Sequence, residues 1–513
     1  MGDFLMQYAV EFVVLRKYKS MLHRIRSVRK LFQYPLFVPG IIVFFITHEY
    51  SRYVGLVPYV DLLVYFLICV SITTICFFIL NLVFKSYQRS GIYISFFLVF
   101  YFFFREIQEL LSAFPLISRY SALILLFISG AILLFRYLRK GTKDFSRIAA
   151  YLNTLLLILI IYDLFNILSA KQSRISVSNQ TVKSINATQI ATRPDIYLII
   201  LDGYAGQSSL KSYFSYDNSV FLNSLRTKSF FVASNSFSNY TATPVSMASM
   251  FSMDYIEWAK KENDIKVEMY SESEKMIANS MTLNFLKKEG YDFFNYSVFT
   301  IGSDFSEFDP DLLPTKLKLI TAGTFYNKFR KDVFASVRAG IGARVSWLGR
   351  YFQNQYLYGN RRLINLTINN AKAKAVKPKL VYTHLLMPHW PYLQDSLGRL
   401  TKYNAFKGVD DKQGKVQYLS YLKYTSHYVT TIVDELLHLT KGKAVIMVMS
   451  DHGCRTFLND TTFAANNNLN AVYLPNKNYR SFYDSVSNVN QFRLVFNAVF
   501  NTQLPLKEDT VVF

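Results

Sequence analysis

Three apolar runs of this chain end in residues able to hold a metal ion or a phosphate, and a fourth segment supplies a hydroxyl. Ile196–Leu201 is wholly apolar and is closed by Asp202 and Gly203. A carboxylate followed by glycine at that place can hold a cation, and an ordinary Asp-Gly turn has the same sequence. Ala444–Met449 is a second run and delivers Ser450, Asp451, His452 and Gly453. Adjacent Asp and His offer a hard oxygen and an imidazole nitrogen, a pair suited to one divalent ion: zinc or manganese first, magnesium or calcium as alternatives. A third run, in the segment KLVYTHLLMPHWPY, delivers His384 and then His389 between two prolines. The hydroxyl comes from NYTATPVSMASMFSM, where Thr243 and Pro244 precede a helix-compatible run. This predicts Thr243 as the helix N-cap with proline at the first helical position. The free amides of such a helix start attract an anion. A threonine there can attack phosphorus if a metal lowers its pKa. Thr241 competes for that role, and a plain structural cap is the alternative.

These residues need a frame that brings strand ends together. From Asp195 onward, short apolar runs alternate with helical patterns, which predicts an α/β layer fold with a mostly parallel central sheet. A run apolar at every position reads as a strand covered on both faces. In open α/β sheets, ligands gather beyond the carboxyl ends of the strands. His438 falls in the helical pattern Tyr418–Leu439 and reads as structural or exposed. The stretch from Glu257 to Arg362 is charged and irregular, most acidic at Ser303–Pro314, and is expected to shape a substrate pocket.

Taken in this order, the motifs resemble the alkaline-phosphatase superfamily, and within it the sulfatase-like branch that includes membrane-bound lipoteichoic acid synthases and phosphoethanolamine transferases. The resemblance runs from about Pro194 to Phe500 and rests on the strand ending in LDG, the SDHG segment and the H-x4-H-x-P-Y stretch. It implies Asp202, Asp451, His452 and the Thr243 oxygen as metal ligands. It also implies Thr243 as nucleophile, through the shared T-x-x-S-x-x-x-M-F-S spacing. His389 falls where a substrate-binding or proton-donating histidine sits, and His384 is placed with it as substrate-binding. There are departures. No C-x-P-x-R or S-x-P-x-R element of the true sulfatases is present. Cys454 is the only cysteine after the membrane segments, where the outer-envelope phosphoethanolamine transferases have several disulfides. No histidine follows Gly453, although the transferases often supply one there.

Ahead of this region lies a different texture. The 513 residues are 51% hydrophobic and only 18% charged, with 57 Lys and Arg against 35 Asp and Glu, which excludes a soluble single domain. With 45 Phe and 37 Tyr the chain is not intrinsically disordered, and three cysteines cannot build a disulfide framework. Residues 1–168 are expected to form an α-helical membrane domain of about five spans, from the apolar stretches Phe32–Thr47, Val60–Phe84, Gly91–Phe104, Tyr120–Phe135 and Ile148–Leu168. None reads as a cleaved leader, because mostly polar or basic residues precede the first and further stretches follow it. Basic residues set the orientation. Seven lie between Arg16 and Lys30, two at Lys85 and Arg89, and five between Arg136 and Arg147; the opposite loops hold only Arg52, Arg105 and Arg119. The N-terminus is therefore expected in the cytoplasm. Residues 169–194 are expected to form a linker or surface helix, and residues 195–513 an extracytoplasmic domain.

Together these readings predict a multi-pass protein integral to the cytoplasmic (inner) membrane of a bacterium. Its expected partners are a membrane lipid donor and a glycan or lipid acceptor, with no nucleic acid. The expected reaction transfers a phospho-alcohol head group through a phospho-threonine. A phosphoester or sulfate-ester hydrolase of the same superfamily is the alternative. A catalytically silent membrane-anchored binding protein is the alternative of another class.

Overall fold

The computed structural model describes residues 32–54, 57–140, 143–178, 192–261, 267–299, 301, 317–330, 346–401, 411–455 and 462–512. The basic residues from Arg16 to Lys30 and the acidic stretch Ser303–Pro314 lie outside the described residues. The chain divides into two compact units. One is formed by residues 1–180 with 316–335, the other by residues 181–315 with 336–513.

The first unit is helical: α1 (Phe37–Arg52), α2 (Tyr59–Phe84), α3 (Tyr87–Phe102), α4 (Phe104–Leu110), α5 (Tyr120–Lys140) and α6 (Ser146–Ser178). Each of the five predicted apolar stretches is helical over most of its length, the first only from Phe37 on. At 1.5 Å per residue, the 26 residues of α2 reach about 39 Å, beyond a hydrocarbon core of about 30 Å. Leu63, Leu67, Ile75 and Leu82 on α2 are exposed, a surface suited to lipid tails. Among the described residues three helices, α2, α5 and α6, are long and apolar enough to cross a membrane. The pair α3 and α4, bent by 76°, would make a fourth. The 16 residues of α1 reach only about 24 Å, so the predicted first span is short. Charged groups gather just after the bend. Arg105 follows it, with Nη2 2.8 Å from Glu106 Oε1 and 3.7 Å from Glu49 Oε1, and its N–H donates to the Gly323 carbonyl at 3.1 Å. Gly323 links two short helices, Leu317–Thr321 and Phe325–Phe329, and the Phe325 ring lies 5.1 Å from that of Phe104. Residues 316–335 thus group with the membrane helices, although they fall inside the stretch expected to form the outer domain. The predicted linker begins as helix, because α6 continues to Ser178; residues 179–191 of it lie outside the described residues.

The second unit is a layered α/β fold. Its strands are β1 (Ile196–Leu201), β2 (Phe231–Val232), β3 (Asp292–Tyr296), β4 (Lys379–Leu385), β5 (Val445–Met449) and β6 (Asn470–Tyr473), in the order β2-β6-β5-β1-β4-β3. β3, β4, β1 and β5 are parallel, and β6 runs against its neighbours. The parallel core matches the expectation, and β6 makes the sheet mixed.

Residues of β1 alternate between two cores because side chains on a strand point to opposite faces. Tyr197, Ile199 and Leu201 pack on one side with the helices α8 (Ser346–Lys372) and α9 (Asp411–Leu439), through Leu363, Ile368, Tyr421 and Val433. Ile196, Leu198 and Ile200 pack on the other with α7 (Thr243–Ser252) and α10 (Gln491–Phe500), through Val245, Phe251, Phe492 and Phe496. Every residue of β1, β4 and β5 is buried. Since β1 lies between β5 and β4, with Ile200 opposite both His384 and Met449, the three strand ends open side by side.

Candidate active site

Each strand end presents its polar residues in a form set by the backbone. After β1, Asp202 donates its N–H to the Leu385 carbonyl at 3.0 Å, and Gly203 turns the chain at φ +72°, a conformation that favours glycine. After β5, Asp451 Oδ1 accepts from the N–H of Gly203 at 3.1 Å and of His452 at 2.9 Å. His452 Nδ1 lies 2.7 Å from the Gly453 carbonyl. A carbonyl only accepts, so Nδ1 carries the proton and Nε2 keeps its lone pair. Gly453 permits this fold of the loop. A Cβ there would lie 2.3 Å from the Ala464 carbonyl oxygen and 2.4 Å from that of Asn467.

α7 brings the hydroxyl. Thr243 is the first helical residue and Ala242 the cap, so the predicted N-cap and proline positions each shift by one. No side-chain cap bond is made. The Thr243 Oγ1 instead lies 3.2 Å from His452 Nε2. One turn on, Ser246 Oγ donates to the Asp451 carbonyl at 2.6 Å, which ties the helix start to the Asp-His loop.

The result is a buried cluster. His452 Nε2 lies 3.5 Å from Asp202 Oδ1 and 3.4 Å from Asp451 Oδ2, and one ligand atom from each of the three residues falls within 4.8 Å of the others. Asp202 Oδ1 and Asp451 Oδ2 are buried and have no hydrogen-bond partner. Leaving carboxylate oxygens so is costly unless a cation completes them. The residues present therefore fit a divalent metal ion. Burial works against the Asp202 carboxylate, but the neighbouring His389 and His384 outweigh it and hold its pKa below the ordinary value. Burial also pushes His452 below the ordinary imidazole value, against the pull of Asp451, which favours the neutral imidazole at pH 7.

The other predicted histidines separate. His389 is half-buried beside Gly203, its Cδ2 4.0 Å from where a Cβ on that glycine would sit. Its Nδ1 donates to the Trp390 carbonyl at 2.5 Å, which leaves Nε2 free to accept a proton. His384, expected at a substrate-binding position, is fully buried; Nδ1 lies 2.8 Å from the Tyr382 hydroxyl and Nε2 3.7 Å from Asp202 Oδ2. It backs the carboxylate from inside the sheet. His438 is exposed on α9, outside the cluster.

Several positioning residues escaped the sequence reading. The Ser450 carbonyl accepts from Asn468 Nδ2 at 2.7 Å and Asn488 Nδ2 at 3.2 Å, and Asn488 Nδ2 also reaches the Asp451 carbonyl at 3.2 Å. Arg455 Nη1 donates to the Thr241 carbonyl at 2.8 Å. The run Asn466-Asn467-Asn468 was the one visible signal, a cluster of amides just before β6.

The sulfatase family model matches residues 194–490, more than half of the chain and every residue of this site. The chain belongs to the sulfatase family. This places it in the sulfatase-like branch of the alkaline-phosphatase superfamily and makes it an enzyme of phosphotransferase or hydrolase type. No curated protein matches the sequence. Among solved structures, the C-terminal periplasmic domain of EcEptC from Escherichia coli, in a zinc complex, is similar at 12% identity and TM-score 0.39, over 64% of this chain and 89% of that one. Lipooligosaccharide phosphoethanolamine transferase A from Neisseria meningitidis, an integral membrane protein, is similar at 12% identity and TM-score 0.36, over 75% and 71%. The phosphonate monoester hydrolase of Agrobacterium radiobacter gives 12% identity and TM-score 0.37, over 62% and 76%.

Proposed function

We propose that this sulfatase-family enzyme is a metal-dependent transferase that moves a phospho-alcohol head group from a membrane lipid to a glycan or lipid acceptor. Thr243 is the nucleophile in this reading. The observation that carries it is the placement of the Thr243 hydroxyl 3.2 Å from His452 Nε2, in the cluster where Asp202 Oδ1 and Asp451 Oδ2 lack partners. Asp202, Asp451, His452 and Thr243 would hold the cation, and a donor set of oxygens with one imidazole suits zinc or manganese. When bound, that ion lowers the pKa of the Thr243 hydroxyl and offsets charge on the phosphoryl oxygens.

The chain's own residues do the rest. Thr243 Oγ1 gives its proton to His389 Nε2 and forms a bond to phosphorus; the bond from phosphorus to the diacylglycerol oxygen breaks, and that oxygen takes the proton from His389. The acceptor hydroxyl then gives its proton to His389 Nε2 and attacks phosphorus, and the bond from phosphorus to Thr243 breaks as Oγ1 takes that proton from His389. The free amides at the start of α7 face the developing charge. The basic-residue asymmetry supports a catalytic unit outside the cytoplasmic membrane of a bacterium, and a reporter fused after Leu168 would be active only there. Mass spectrometry of lipid and glycan fractions from cells with and without the gene tests the transfer. The expected change is loss of a head-group-bearing acceptor together with less diacylglycerol. Identical fractions would sink the proposal.

A further inference from the structure

Resting on the reading just given, we propose that Arg455 is the anion-binding residue of the site and that it fits the enzyme to a singly charged tetrahedral ester, a phosphodiester. Asp202 and Asp451 together cancel a divalent cation, so the metal and its carboxylates leave no net attraction for an anionic substrate. Arg455 adds one permanent positive charge, because a guanidinium stays protonated. No carboxylate pairs with it among the described residues.

Its position is fixed from both ends. Arg455 follows His452 by three residues, and its Nη1 is docked on the carbonyl of Thr241 at 2.8 Å. Thr241 precedes Thr243 by two residues, and two residues of chain span at most about 7 Å. One N–H of the fork is thereby engaged, and no described residue takes the other four donors. The side chain is half-buried, which keeps the guanidinium partly shielded from water and strengthens its pull on an anion. The surplus of one positive charge matches a phosphodiester or a sulfate ester, each carrying one negative charge, and undershoots a dianionic phosphate monoester. The phosphodiester is the class that Thr243 transfer calls for.

The test uses the zinc-loaded full chain in detergent. Calorimetry measures binding of inorganic phosphate, and 4-nitrophenol release is followed from bis(4-nitrophenyl) phosphate, 4-nitrophenyl phosphate and 4-nitrophenyl sulfate. Arg455→Ala should weaken phosphate binding and lower kcat/KM for the diester by roughly 10- to 100-fold, the range for losing a charge-assisted hydrogen bond. Zinc content and melting temperature should stay unchanged. Arg455→Lys keeps the charge and loses the fork, so it should fall between, and added guanidinium should restore part of the Arg455→Ala activity. Wild-type binding of phosphate that Arg455→Ala matches overturns this inference and leaves the function reading standing. Turnover of the sulfate ester without the diester overturns the assignment to phosphodiesters. A wild type that neither binds phosphate nor turns over any ester overturns the function reading and this inference with it.

Discussion

Thr243→Ala separates catalysis from stability because the structure assigns the hydroxyl so few contacts. The side chain is buried at 6% exposure, makes no cap bond, and among the described residues its one hydrogen-bond neighbour is His452 Nε2. Losing one such bond costs about 0.5–1.5 kcal/mol, and losing a buried methyl about 0.8 kcal/mol more. A cost of about 1–2 kcal/mol leaves the unit folded. Loss of the nucleophile, by contrast, lowers turnover on the order of 10^4-fold or more. The assay is release of diacylglycerol from a lipid donor by the purified full chain, with metal content measured in parallel. Without acceptor, wild type should accumulate a phosphorylated threonine that peptide mass spectrometry places at residue 243. Thr243→Ser should keep partial activity. Thr241→Ala should be mild, since Thr241 serves Arg455 through its backbone carbonyl and keeps that after truncation. A folded, metal-loaded and fully active Thr243→Ala would refute the covalent route and leave a metal-activated water in its place.

Three further outcomes follow from the same geometry. Asp202→Ala or Asp451→Ala should lose most bound metal by elemental analysis, while His389→Ala should keep it and lose turnover, and the exposed His438→Ala should change neither; metal loss in His438→Ala alone would overturn the ligand set. Bound metal should be stable at pH 7 and released on acidification only below the ordinary imidazole value of 6.5, because burial lowers the His452 pKa and protonation removes its lone pair; release beginning above that value would contradict this. Gly453→Ala should displace the Asp-His loop, since its Cβ would meet two backbone oxygens at 2.3 and 2.4 Å, and should cost metal affinity as well as melting temperature; an unchanged affinity would refute the clash.

Much of the scaffold was legible because it is local. Ile196–Leu201 and Ala444–Met449 are apolar at every position, so they could be read as strands covered on both faces, with Asp202 and Asp451 at their ends. The helical membrane region was legible for a similar reason: uninterrupted apolar length is a property of neighbouring residues. By itself the sequence determined which residue types stand at strand ends, where the apolar helices lie and which family pattern they compose. Tertiary structure decided what those residues touch. Gly203 and Asp451 meet across 248 residues of chain, and Asn468 and Asn488 converge on one carbonyl from two separate segments. No local period encodes such meetings. Thr243 stands as the first helical residue, not the cap, and its hydroxyl faces His452, a residue 209 positions away. His384 moved from expected substrate contact to buried support for Asp202 because β4 lies between β1 and β3, covered on both faces. β6 runs antiparallel because pairing direction depends on how the chain returns to the sheet, which its four residues do not record. Strand ends come together through sheet order and register, and those are set by packing between distant segments.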